Sequence, residues 1–431
     1  MTIPMSVSEK TKKIAHHYVY GTFFSMKAMI KWLLIATMIG VIVGVVASAF
    51  GHALIGVNAL RAAHPLTALA LPFGGLLIVF LYRFFHDADD KGTNMVIASI
   101  HSSSNIPFRM APLIFASTVI THLCGGSAGR EGAAIQLGGS IANKIGKRMK
   151  LSANDQHIII MCGMSAGFSA LFGTPMAATI FSLEVISVGI MHYSALVPCV
   201  TASMIAHFVA ELLRVPPEVF PVAAIPAMEA VMFFKVVLFA ALLGAVSILF
   251  CMILHSAEHF YSHFLKNTYV RIFTAGCLVL LLSAVLRTTE YLGSGMGIIE
   301  HIFHHGGGAH PLAFFLKMIF TALTLGAGFK GGEIVPSLTI GAAFGCVTAA
   351  LFGLPLELAT ACGMIGVFCG VTNCPITSLL IAFELFGFEG MPYYLITVAV
   401  SYMLSGYYGL YHAQKIMYSK TETHFINTIT H

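Results

Sequence analysis

Apolar runs long enough to cross a bilayer recur from one end of this chain to the other, and nothing else in the sequence restricts its fold so strongly. Trp32–Phe50, Leu66–Tyr82, Ser194–Ala210, Val236–Leu254 and Ile272–Leu286 approach the roughly 20 residues that span a hydrocarbon core, the last being the shortest. Leu123–Gly139 and Leu323–Gly345 are similar runs broken by glycine. Only 10% of the residues are charged and 57% are hydrophobic, whereas a soluble domain carries about 25% charged residues. Such a chain needs lipid as its solvent, and an all-α polytopic membrane protein is predicted.

The remaining composition narrows the possibilities. Residues 1–31 form the only long polar stretch and hold Lys10, Lys12, Lys13, Lys27 and Lys31. A basic flank before the first span, with no signal-peptide cleavage pattern, predicts a cytoplasmic N-terminus, and Ser25–Trp32 is expected to begin an interfacial helix. The net charge of +5 gives no reason to expect a nucleic-acid partner. Nine cysteines stand singly with no CxxC, as expected of buried inert thiols. His304, His305 and His310 have only Glu300 as a nearby acid, so neither a metal nor a cofactor is expected. No HExxH or Ser/His pair occurs in the glycine-rich segments, and an enzyme is not expected.

The chain also repeats itself at an offset of 200 residues. Cys162-Gly163-Met164 returns as Cys362-Gly363-Met364, Phe168 as Phe368, Pro175 as Pro375 and Glu184 as Glu384. The same offset aligns Thr121 with Thr321, Leu123 with Leu323, Gly126 with Gly326 and Gly132 with Gly332, and sets Arg130 on Lys330. Two blocks at one offset indicate a duplicated unit, read here as halves over 32–215 and 228–415 followed by a short tail, 416–431. Membrane repeats of this size build transporters or channels with the site between the halves, made from broken helices. The repeat alone leaves parallel and inverted halves open.

Between apolar runs lies Gly125-Gly126-Ser127-Ala128-Gly129-Arg130-Glu131-Gly132-Ala133-Ala134. Ordinary close packing explains most of the 41 glycines, but not their clustering here beside polar residues. A helix is predicted to start at Glu131 or just after it. Its first N–H groups have no intrahelical acceptor and its dipole is positive there, which makes Gly129, Arg130, Gly132 and Ala133 a candidate anion site built from backbone. A carboxylate in a membrane run is costly unless it is paired, protonated or functional. Glu131 would compete with an anion for those donors and withdraw when protonated, coupling anion to proton. The competing structural roles are a salt bridge to Arg130 or a helix cap. The second half repeats the logic in Gly332, Glu333, Ile334 and Val335, with Pro336 near a helix start. Glu333 is either a second functional carboxylate or, as is favoured, a partner of Lys330 that holds the loop.

These segments resemble a family. GREGA at 129–133 with Gln136 and Gly138-Gly139, the block 162–184, GAGFKGGEIVP from Gly326 and Asn373-Cys374-Pro375 follow the order and spacing of CLC chloride channels and transporters, over about residues 30–415. The resemblance implies a homodimer, an inverted repeat with broken helices and a pore in each subunit. It makes Glu131 the proton-coupled gate and Tyr411 a residue by the central ion, near the end of the last helix. Soluble regulatory domains are not expected after it. Several departures matter. Lys91-Gly92-Thr93-Asn94-Met95 stands where the family's first anion segment belongs, Ala133 replaces a proline, and GGEIVP replaces the usual GxFxP. Val185 falls where many chloride/proton exchangers have an internal glutamate. Together these resemble the fluoride/proton antiporter branch, with Gly92, Thr93, Asn94 and Met95 at the ion and either Thr93, Asn94 or Met95 facing it. Small, strongly hydrated fluoride needs good donors to offset its desolvation, and the Thr93 hydroxyl, Asn94 amide and Tyr411 hydroxyl could supply them. The implied activity is fluoride/proton antiport that exports fluoride, with chloride/proton antiport or a passive voltage-gated chloride channel as alternatives. Fluoride or chloride, protons and the lipid bilayer are the expected partners, and a bacterial inner (plasma) membrane the expected location.

Overall fold

The computed structural model describes residues 7–87, 91–102 and 106–430, with side chains described from Met26 onward. The chain is almost wholly helical, as lipid demands of a backbone that must satisfy its own hydrogen bonds. In the first half, α1 (Val7–Ala63), α2 (Leu71–Phe84), α3 (Thr93–Ser102), α4 (Met110–Leu123), α5 (Glu131–Arg148), α6 (Ala153–Phe172), α7 (Pro175–Glu184) and α8 (Leu196–Leu212) follow one another. The second half runs α9 (Ala230–Phe264), α10 (Thr268–Leu286), α11 (Met296–His305), α12 (Ala313–Leu325), α13 (Ile334–Phe352), α14 (Leu356–Thr372), α15 (Pro375–Phe386) and α16 (Met391–Leu404). Six helices among the described residues are long and apolar enough to cross a membrane.

The helix expected to begin within Ser25–Trp32 begins earlier, at Val7. No proline interrupts Val7–Ala63, so α1 enters its apolar run as one continuous helix. Lys10, Lys12 and Lys13 lie outside the described side chains. Eight of the nine cysteines are buried, and Cys277 on α10 is the exposed exception.

The halves are inverted, and one pair of short matching helices, α7 and α15, demonstrates it. The Met176 and Ala177 amides in the first turn of α7 donate to the Glu384 carboxylate of α15 at 2.8 and 2.9 Å. The Ile376 and Thr377 amides of α15 donate to Glu184 of α7 at 3.1 and 2.9 Å. Each helix start is therefore capped by the far end of its repeat mate, which requires the two to run antiparallel. Close packing is duplicated too. A Cβ on Gly138 of α5 would lie 2.0 Å from the Gly163 carbonyl oxygen of α6, and one on Gly341 of α13 would lie 2.1 Å from that of Gly363 on α14. Only glycine lets these backbones touch.

Two details add to the sequence reading. The register that sets Gly132 on Gly332 does not hold for the helix starts, because Gly132 is inside α5 while Gly332 precedes α13. The short tail is built into a sheet. Strands β1 (Ser187–Val188), β2 (Lys415–Tyr418) and β3 (Phe425–Ile429) form a small sheet, β2 pairing parallel to β1 and antiparallel to β3.

Candidate functional site

The two glycine loops meet face to face. The Gly129 amide donates to the Gly332 carbonyl at 2.6 Å and the Gly332 amide returns a bond to Gly129 at 2.8 Å. This bridge sets the N-termini of α5 and α13 against each other, so two positive helix ends converge on one point. Gly332 has to be glycine here, since a Cβ would lie 2.6 Å from the Gly132 nitrogen and block that free amide. Fully buried Lys317 of α12 supports the first loop from behind, donating to Ser127 Oγ at 2.9 Å and to the Gly293 carbonyl at 2.7 Å.

Helix α5 starts at Glu131, and the buried Glu131 carboxylate folds back onto the helix start, accepting from the Arg130 amide at 3.1 Å. The carboxylate thus sits on backbone donors of the kind an anion would use. The salt bridge to Arg130 is present but shared. Arg130 Nε reaches Glu131 Oε1 only at 3.4 Å, while its Nη2 bonds Glu218 closely.

Thr93, Gly132 and Glu333 converge. The Cβ position of Gly132 lies 3.3 Å from both Thr93 Oγ1 and Glu333 Oε2. Gln136 Nε2 donates to Thr93 Oγ1 at 3.1 Å, which leaves the hydroxyl proton free to point elsewhere. Glu333 Oε2 is buried without a hydrogen-bond partner, and Lys330 Nζ stands 4.4 Å from the Tyr82 ring centroid. The expected Glu333–Lys330 pairing is therefore not what occupies this oxygen. Ile334 and Val335 are buried in the first turn of α13 and Ala133 in that of α5.

Tyr411 is also at the site, though not on the last helix. Helix α16 ends at Leu404, and Tyr411 lies on the irregular stretch 405–414. Its carbonyl accepts from Thr430 Oγ1 at 2.6 Å and the Gln414 amide at 2.9 Å, so residues flanking the tail strands hold it. The Tyr411 hydroxyl is buried with no partner, and it feels the charges of both Glu333 and Glu131. Asn94 lines the same cavity as Thr93, and its Oδ1 accepts from the Ala413 amide at 3.0 Å, so that oxygen also clamps the Tyr411 stretch. Met95 is half-buried against the core, and Gly92 supplies the positive-φ turn (+59°) that opens α3. Of the three candidates, Thr93 is the one that meets Gly132 and Glu333.

A cavity of about 770 Å³ reaches this point from one face and is lined by Lys91, Thr93, Gln136, Glu258, Arg271 and Glu333, among others. Glu258 belongs to the last turns of the 35-residue α9, whereas Glu218 lies in the connection before its first residue. At about 1.5 Å per residue that helix separates them by most of a membrane. Cavity and Arg130–Glu218 pair therefore lie toward opposite faces, with Glu131 between. Sequence reasoning passed over Glu218, Glu258 and Lys317. Their signal was the scarcity of charge, since every ion in so apolar a chain needs a reason.

Fold and site define an integral membrane protein whose inverted halves present helix N-termini to a small anion. A family model described as voltage gated chloride channel matches residues 73–406, and the chain belongs to this family. It is 34% identical over 395 residues to a chloride/fluoride channel protein of Pseudomonas syringae pv. tomato, covering 90% of this chain and 87% of the relative. It is 27% identical over 332 residues to the H(+)/Cl(-) exchange transporter ClcA of Vibrio cholerae, covering 73% and 70%. The crystal structure of a CLC-type fluoride/proton antiporter superposes with a TM-score of 0.87 at 34% identity, covering 91% of this chain and 98% of that one.

Proposed function

We propose that the protein is a fluoride/proton antiporter that exports fluoride from a bacterial cell across its plasma membrane, with its N-terminus in the cytoplasm, and that it acts as a homodimer of two pores. The observation that carries this is Glu131 lying on the Arg130 amide at the start of α5. A carboxylate and an anion exclude each other from such donors. Protonation discharges the carboxylate, lets it leave and admits the anion, so each binding event exchanges one ligand for the other. The halves of the pore are residues 32–215 and 228–415. Around the ion we assign the free amides of Gly132, Ala133, Ile334 and Val335, the Thr93 and Tyr411 hydroxyls, and Glu333 as a second carboxylate. Gly92, Asn94, Met95, Gly129, Arg130 and Gly332 shape and hold that ring.

Fluoride is favoured over chloride by the donors at hand and by the fluoride named for two relatives at 34% identity. The chloride/proton exchange named for the Vibrio relative supports a second reading with the same gate and another ion. Purified protein in liposomes distinguishes them. A pH gradient should drive fluoride uphill and leave chloride nearly still. Fluoride flux with no proton movement makes the protein a channel, and equal driving of chloride makes it a chloride exchanger.

A further inference from the structure

The Arg130 guanidinium divides itself between two carboxylates. Its Nε makes the 3.4 Å contact to Glu131 Oε1, while Nη2 bonds Glu218 Oε1. Glu218 belongs to neither repeated block. It sits in the irregular connection 213–229 between the halves, and that connection is fastened down. The Phe220 amide donates to the Leu385 carbonyl at 2.8 Å, the Ala223 amide to Glu357 Oε2 at 3.0 Å, and the Tyr393 hydroxyl to the Pro226 carbonyl at 3.0 Å. The side chains of Arg130 and Glu218 are 15% and 16% exposed, nearly dry, so their pairing is only weakly screened. Helix α11 adds Glu300 and His304 to the field around this pair, and Glu333 and Tyr411 face Glu131 from the other side.

We propose that Glu218 is a positioning residue for the exchange, holding Arg130 so that the guanidinium neither locks Glu131 in place nor is left without a counter-ion when Glu131 departs. The proposal builds on the reading of Glu131 as the gate. The proton step balances simply. One proton from solution bonds to a Glu131 carboxylate oxygen, the side chain becomes neutral, and its bonds to the Arg130 amide and Nε are released. Arg130 then keeps one full negative partner, Glu218, and no unpaired cation remains in a nearly dry site. Without the Glu218 charge, Arg130 would turn wholly to Glu131. An opposite charge at this range favours the ionised carboxylate by about one to three pH units, so detaching the gate would require a more acidic solution.

The test measures fluoride-driven proton flux in proteoliposomes across a pH series. Glu218→Gln should move the pH of half-maximal exchange toward acid by about one unit, and Glu218→Asp, which restores the charge, should return most of that shift. The double change Arg130→Gln with Glu218→Gln leaves no lone ion and should move the profile the other way, toward alkaline pH, because the guanidinium touches Glu131 directly whereas Glu218 touches Arg130. The double variant also serves should Glu218→Gln fail to fold. A Glu218→Gln profile unshifted in pH, whether at full or at uniformly reduced rate, overturns the proposal, and so does an unshifted double variant. The gate reading has its own control. Glu131→Gln that still moves protons removes the gate, whereas a proton-dead Glu131→Gln beside an unshifted Glu218→Gln removes only the role of Glu218.

Discussion

Glu131 is buried, touches the helix start and shares its cationic neighbour with Glu218, and these three facts decide what its neutral isostere should do. Glu131→Gln keeps the shape and removes the exchangeable proton, so proton flux should fall to the background of empty liposomes. Folding should survive, because Arg130 retains Glu218 and a buried charge has been removed. Elution as an intact oligomer in detergent, measured on the sample used for flux, checks the second half of that claim. Thr93→Ala and Tyr411→Phe each delete a hydroxyl beside the site. A buried donor is worth about 1–3 kcal/mol, so each should lower the fluoride-to-chloride flux ratio several-fold or more. Asn94→Ala should instead slow both ions together, because it loosens the Ala413 amide that its side chain holds. Ion competition at fixed pH separates the outcomes, and a pure selectivity loss in Asn94→Ala would return that residue to the ion. Glu131 was legible in the sequence because glycines flank a lone acid in an apolar run. The role of Asn94 was not, since its partner lies 319 positions away and only the fold brings them together.

The short helices depend on each other for their first turns. An α-helix begins with N–H groups that have no acceptor, and α7 and α15, each opened by proline and buried among neighbours, solve this by trade across the pseudo-twofold axis. Glu384→Ala removes the acceptor for two amides and should cost about 0.5–2 kcal/mol, the usual worth of a cap. Glu184→Ala should cost more. That side chain is only 7% exposed and also accepts from Thr377 Oγ1 at 2.6 Å. Thermal unfolding in detergent should therefore rank wild type above Glu384→Ala above Glu184→Ala, and the reverse order of the two variants contradicts the capping roles. The repeat was visible in the sequence through Pro175, Pro375, Glu184 and Glu384, yet their purpose was not, because a gapless alignment shows that residues recur and says nothing about which way their helices run. Span positions were legible because lipid enforces apolar length. The strands of the tail were not, since the short strand β2 pairs with two residues more than two hundred positions away, which only the fold brings beside it.

For the whole molecule, the site is useful only if its two approaches open to different sides, and the helix lengths fix which residues belong to which side. Helix α1 crosses once, and the turn and helix Pro65–Phe84 cross back, so Lys91 returns to the face from which α1 set out. Lys91 lines the same cavity as Ser262 and Arg271, which places the last turns of α9 on that face as well. The 213–229 connection, at the other end of α9, belongs to the opposite face. Two exposed positions report these faces, Ser262 at the cavity and Val219 beside Glu218. Cys277 is the exposed native thiol and the other eight are buried, so Cys277→Ser provides a quiet background. In intact cells a membrane-impermeant maleimide should label Val219→Cys and leave Ser262→Cys untouched, and breaking the cells should expose Ser262→Cys. Labelling of both from outside would break the assignment of opposite faces. Labelling of Ser262→Cys alone would keep that assignment but turn the molecule over, setting the basic N-terminus outside and contradicting the orientation its lysines predict.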